Sequence, residues 1–230
     1  MATLSPTFID IRDSYPLEFN ALISARRTSQ FAHDHTIRER ILDVATELFD
    51  EYGYNETSVR QIAARLGWTS ASLYNHFLCK EDVLYGIIMR TRVDLFDYEC
   101  SQLAVDINQA DAVVQMLRNI LEFVVDDPAA ISVSTLGEPY LSPDRRALLE
   151  STRRHRVNWF ADILTRGQRT DHSSTVRHPV LLASMLRAYV VSLAQFVLPA
   201  AEFPEGDVAE LALDSCLSIL GIEHPDDDRR

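Results

Sequence analysis

At 230 residues, 47% hydrophobic and 24% charged, the chain has room for one large domain or two small ones and is neither disordered nor fibrous. Seven glycines and nine prolines are too few for a collagen or a linker-rich array, and a formal charge of -12 excludes a chain that is basic throughout.

The acidity is uneven. Residues 1–35 carry net -1, residues 36–90 net -2 and residues 91–230 the remaining -9. Cys79, Cys100 and Cys216 form no C-x-x-C pair, which argues against a disulfide framework or a zinc ribbon and fits a reducing cytoplasm. Asp10, Arg12, Asp13 and Glu18 leave the first twenty residues without the apolar core of a signal peptide. Arg187 and Gln195 interrupt the most apolar stretch, Pro179 to Ala201, so no membrane span is expected.

Periodicity predicts an all-α protein. Residues 1–35 form an extension in which Leu17 to Phe31 can make one amphipathic helix. Thr36-Ile-Arg-Glu39 reads as a capping box that starts a helix burying Ile41, Leu42, Ala45, Leu48 and Phe49 and ending at Gly53. Ser58-Val-Arg-Gln61 repeats the box ahead of a short helix with Val59, Ile62, Ala63 and Leu66 inward. Gly67-Trp68 makes a tight turn, Thr69 caps a third helix of two turns carrying Leu73 and Phe77, and a fourth helix starts near Cys79. Further helices are expected over 109–125, 128–135, 142–167, 179–198 and 206–222, with a polar loop at 170–178 and an acidic tail at 226–230.

Two short helices joined by a glycine turn, packed on a longer one, are a helix-turn-helix. The second of them, Ser70 to His76, is then the recognition helix. Its side chains are small and polar. Ser70 and Asn75 suit base edges, Ala71 suits a thymine methyl, and Tyr74 and His76 suit phosphates. The next helix offers free amides at its N-terminus, where Lys80 adds a charge.

Residues 37–88 resemble the DNA-binding domain of the TetR (tetracycline repressor-like) family. The resemblance rests on Ile41, Ala45, Leu48-Phe49, Gly53, Thr57-Ser58-Val59, Ile62-Ala63, Leu66-Gly67, Ser72-Leu73-Tyr74, His76-Phe77 and Lys80-Glu81. Trp68 and Cys79 depart from its usual small aliphatic and small polar residues, and Trp68 is expected to pack between the two short helices. The resemblance implies phosphate contacts at Thr57, Tyr74, His76 and Lys80, with Ser58 at the start of its helix, and base reading by Thr69 to Asn75, which includes Ser70, Ala71 and Ser72. It also implies a helix-turn-helix domain over 36–82 and a helical effector-binding and dimerisation domain over 83–225. On that reading the protein is a cytoplasmic regulator, usually a repressor, that binds a palindromic DNA operator as a homodimer. It uses no cofactor or metal and answers to a small-molecule effector.

Independent signals support the second domain. Leu181, Leu182, Met185, Leu186, Tyr189, Val190, Leu193 and Phe196 form one broad apolar face and Val208, Leu211, Leu213, Leu217 and Leu220 another, enough for a four-helix bundle between two protomers or for the core of one. For the effector, Arg156, Trp159 and Phe160 share a helix face with Thr152, His155 and Ile163; an arginine with an aromatic suits an anionic, partly apolar ligand. Tyr140 and the residues after it are similar to family members that sense acyl-coenzyme A thioesters. Phe123, Tyr140, Met185, Tyr189 and Phe196 can line a cavity or simply be core.

Other signals leave alternatives. Cys79, at a helix N-terminus beside Lys80, is a candidate redox switch or a plain substituted cap. His33-Asp34-His35 supplies too few ligands for a metal and reads as linker. Arg26-Arg27 can reach the minor groove or a partner subunit. No G-x-S-x-G, phosphate loop or H-E-x-x-H points to an enzyme; the remaining competitor is a helical interaction module without DNA.

Overall fold

In this computed structural model, residues 33–101, 109–167, 178–198 and 204–221 are described, and every described element is helical. In chain order they are α1 (His33–Tyr52), α2 (Val59–Arg65), α3 (Ser70–Tyr74), α4 (Lys80–Ser101), α5 (Gln109–Asp126), α6 (Pro128–Leu136), a 3-10 turn (Glu138–Tyr140), α7 (Pro143–Gly167), α8 (Pro179–Ser192), a π-helical turn (Leu193–Val197) and α9 (Glu205–Leu220). The 17–31 helix, the Arg26-Arg27 pair and the acidic tail lie outside the described residues.

The chain folds as two compact units. One takes Leu17–Asp94 and Ala129–Glu150; the other takes Leu95–Pro128 and the chain from Ser151 on. Residues 129–150 therefore belong to the same unit as the helix-turn-helix, and α4 and α7 each contribute residues to both units.

In the first unit α1 buries Ile41, Leu42, Ala45, Leu48 and Phe49, the stripe its 3.6-residue period lays on one face. It begins at His33, three residues before Thr36, so Thr36 is not its cap. Glu39 pairs with Arg90 of α4 at 3.0 Å. Gly53 and Gly67 carry φ of +82° and +74°, which lets the chain leave α1 and α2 through the left-handed region.

Residues 129–150 are fastened to α4 at several points. Gly137 packs so tightly that a Cβ there would sit 2.6 Å from a Leu84 methyl and 2.6 Å from the Val133 carbonyl. Arg92 donates to the Leu149 carbonyl at 2.8 Å and pairs with Glu138. Arg145 pairs with Glu81 and Asp82 at the start of α4.

In the second unit α9, α8 and the π-helical turn pack on α5. Both α8 and α9 are apolar on two sides. Ala183, Leu186, Val190 and Leu193 are buried while Leu181, Met185 and Phe196 of the same run are exposed. In α9, Val208, Leu213, Leu217 and Leu220 are buried and Leu211 and Ile219 exposed. Pro179–Val197 is long and apolar enough to cross a membrane by length and composition alone.

Candidate nucleic-acid interface and effector site

The turn ahead of α2 is closed by its own side chains. The Ser58 hydroxyl accepts from the Gln61 amide at 3.2 Å, and the Gln61 side chain accepts from the Ser58 amide at 2.7 Å: a complete capping box. Thr69 caps α3 in the same way, accepting from the Ser72 amide at 3.2 Å, and its hydroxyl meets that of Ser72 at 2.9 Å. Leu73 is fully buried and anchors the recognition helix on the core.

The expected DNA-facing residues fall into two groups. Ala71, Tyr74 and Asn75 are exposed and Ser70 is half-buried, and together they form the outward side of α3 and its C-terminal end. Ser58, Thr69 and Ser72 are engaged in caps. Thr57 is buried, its hydroxyl 3.0 Å from the Leu48 carbonyl and 2.9 Å from that of Gly53. Lys80 points its ammonium at the turn before α2, donating to the carbonyls of Tyr54 and Thr57 at 2.9 Å each and lying 3.5 Å from that of Asn55. It also sits 4.2 Å from the centre of the Tyr54 ring, and burial lowers its pKa from the ordinary lysine value. Thr57 and Lys80, expected at phosphates, thus shape the loop from within. Trp68 is half-buried and faces the imidazole of His76 at 6.1 Å between ring centres.

The residue that holds the far end of α3 was not expected from the sequence. Arg38 of α1 donates to the His76 carbonyl and stacks 4.1 Å from the centre of the Phe77 ring. Its only sequence signal was an arginine beside the apolar stripe of α1, which any solvated face also shows. Arg90 is another such clamp, joining α4 to Glu39 and Asp43 of α1. Burial works against the Arg90 charge, and the two carboxylates more than offset it, so its pKa is raised.

The effector candidates are not brought together as one set. Tyr140 lies in the helix-turn-helix unit, its ring 4.9 Å from that of Tyr54. Met185 and Phe196 are exposed. Phe123 is half-buried against Tyr98, and Tyr189 is half-buried on α8. Trp159, Phe160, Ile163 and Thr152 are buried on one face of α7, whereas His155 is exposed. Arg156 is not presented alone to an anion: it pairs with Glu99, a buried carboxylate of α4 that the sequence did not single out. Burial pushes the Glu99 pKa up, against the opposing pull of Arg156. One turn along, Phe96 of α4 meets Trp159 of α7 at 5.8 Å between ring centres.

Cys79 is exposed; Cys216 is buried, and burial pushes its thiol up to about 11. His33, Asp34 and His35 fall in the first turn of α1, and the described residues hold no cluster of metal-ligating side chains.

Residues 41–85 match the family model described as bacterial regulatory proteins, tetR family. Over 101 residues the chain is 35% identical to an HTH-type transcriptional regulator of Staphylococcus aureus (strain USA300), a match covering 44% of this chain and 54% of that protein. The chain thus spans about half the length of the curated relatives it matches. The TetR family transcriptional regulator PfmR of Thermus thermophilus is 26% identical, covering 80% of this chain and 99% of PfmR with a TM-score of 0.68. AibR, solved in complex with isovaleryl coenzyme A and operator DNA, shares the fold at 20% identity, covering 77% of this chain and 96% of AibR with a TM-score of 0.66. A capped helix-turn-helix at residues 41–85 thus matches the DNA-binding domain of the tetR family of bacterial regulatory proteins, and the all-helical fold that carries it is shared with solved regulators of that family.

Proposed function

We propose that the protein is a ligand-responsive transcriptional repressor that binds a palindromic operator as a homodimer in the cytoplasm. The observation that carries this reading is α3: a short helix capped by Thr69, anchored by Leu73, and presenting Ser70, Ala71, Tyr74 and Asn75 outward. Those are the side chains for base edges and phosphates. Thr57, Ser58, Thr69, Ser72, His76 and Lys80 set its position. The overall charge of -12 does not oppose this, because binding depends on the local face.

The homodimer is supported by the two-sided apolarity of α8 and α9. Phe196, in the π-helical turn after α8, is 71% exposed and Leu211 of α9 68% exposed, and Leu181 and Met185 of α8 and Ile219 of α9 are exposed with them. A monomer rarely leaves so many large apolar side chains on two adjacent helices in water. A second copy covering them by two-fold symmetry forms a four-helix bundle and sets two recognition helices for two half-sites. The same demand explains why Pro179–Val197 is apolar enough to pass for a span.

The second unit takes the effector. A ligand that favours a conformer with wrongly spaced recognition helices releases DNA by differential affinity for the two conformers. The complex of AibR with isovaleryl coenzyme A and operator DNA supports a small ligand in this unit.

The test is fluorescence anisotropy on DNA from around the protein's own coding region, with scrambled competitor, over several salt concentrations. Saturable binding that survives competitor, with two protomers per site, is the expected result. No site there, and none after selection from random genomic fragments, overturns the reading.

A further inference from the structure

The buried polar atoms that lack a hydrogen-bond partner among the described residues are not scattered. Glu99 Oε2, Trp159 Nε1 and Gln195 Nε2 all belong to the second unit, and the described residues of the helix-turn-helix unit contain no such atom. A buried carboxylate oxygen or indole N–H without a partner is costly, so folded proteins rarely keep one that nothing ever satisfies. Two of these atoms sit on facing helices of that unit, Glu99 on α4 and Trp159 on α7, one turn apart along the same contact. Glu99 pairs with Arg156, and Phe96 one turn earlier meets Trp159 one turn later. Glu99 is 1% exposed and Trp159 8% exposed. The Asn119 amide of α5 donates to the Glu99 carbonyl at 3.3 Å, which fixes the backbone and leaves the carboxylate oxygen open.

We propose that Glu99, Arg156 and Trp159 form the polar recognition point of the effector site, and that it takes an uncharged, hydroxyl-bearing molecule with an apolar body rather than an anion. This rests on the reading that the second unit binds a small molecule. The chemistry follows from the unmet atoms. Glu99 Oε2 needs a donor and Trp159 Nε1 needs an acceptor. A hydroxyl is both at once. An incoming carboxylate or phosphate gains nothing from Arg156, whose charge Glu99 already balances, and meets the Glu99 oxygen in a low-dielectric interior. An incoming ammonium meets Arg156. Phe96 supplies apolar surface beside the indole.

Trp159 is also the reporter, because Trp68 is the chain's other tryptophan. The Trp68→Phe protein, full length, is titrated with 1-octanol, octanoate and octylammonium, which share a tail and differ in head group. Octanol should bind saturably at least about tenfold tighter than either charged probe and move the Trp159 emission to longer wavelength as its N–H gains an acceptor. In a Glu99→Gln background, which removes the carboxylate charge and keeps the shape, octanoate should gain about tenfold relative to octanol. Equal or tighter binding of a charged probe, no saturable binding of any probe, or a head-group ranking that Glu99→Gln leaves unchanged overturns the proposal. The DNA assay is run separately on the unsubstituted protein. DNA binding without the ranking sinks this inference alone; the ranking without DNA binding sinks the regulator reading and leaves the site standing.

Discussion

Replacing Lys80 with methionine separates a scaffold role from a phosphate contact. Methionine keeps an unbranched apolar stem beside Tyr54 and removes the ammonium. Two carbonyls, of Tyr54 and Thr57, lose donors at 2.9 Å; the third, of Asn55, at 3.5 Å, loses little. At about 1 kcal/mol net for each good bond, with up to about 0.5–1 kcal/mol from the cation over the Tyr54 ring, the loss is roughly 2–3 kcal/mol. Partial solvation of the site trims this to about 2 kcal/mol. For a chain of this length that lowers Tm by about 4–8 °C in a thermal melt. The turn that sets α2 and α3 loosens, so affinity for every DNA sequence falls. The slope of log K against log salt stays the same, because the ammonium faces inward; a phosphate contact would cost the slope about 0.9. An unchanged Tm together with a slope reduced by about one refutes the scaffold argument.

Gly137→Ala places a methyl 2.6 Å from Leu84 and from a backbone carbonyl that cannot swing away, so stability should fall by about 1–3 kcal/mol; a melt within a degree of the parent contradicts the close approach. The Arg145 clamp makes an acid-sensitive link. The Ser142 amide and then Arg145 hold the Glu81 carboxylate below its usual range; burial would raise that of Asp82, and Arg145 outweighs it. Because both folded-state values are lowered, their contribution is full above about pH 5 and is lost as pH falls through them. Arg145→Met should flatten the pH dependence of Tm between about pH 5 and 3, by under about 1 kcal/mol for groups this solvated; parallel curves for parent and variant count against the link. Ser70→Ala and Asn75→Ala should each relax preference at one base position, costing about 1–3 kcal/mol on the best operator and leaving the salt slope intact. Uniform weakening across a base-substitution series instead makes these residues supports, not readers.

Much of the helix-turn-helix was legible because its signals are local. Ser58 and Gln61 are three residues apart, Thr69 and Ser72 likewise, and Gly53 and Gly67 mark ends that only a left-handed φ can make cheaply. The failure at Thr36 is instructive. Its box contains the right residues at the right spacing, but the helix begins three residues earlier, at His33, and Glu39 also meets Arg90, 51 residues away.

The effector region was less legible for the same reason. A 3.6-residue period on α7 placed Trp159, Phe160 and Ile163 together on a buried face. It could not show that Arg156 meets Glu99 across 57 residues of chain, nor that Tyr140 folds with the helix-turn-helix against Tyr54. Sequence by itself determined the helices of the helix-turn-helix and the caps at Ser58 and Thr69, because each depends on residues within a turn or two of one another. Tertiary structure decided which charges are already balanced and which buried atoms still lack a partner, because those depend on side chains that meet only when distant segments pack.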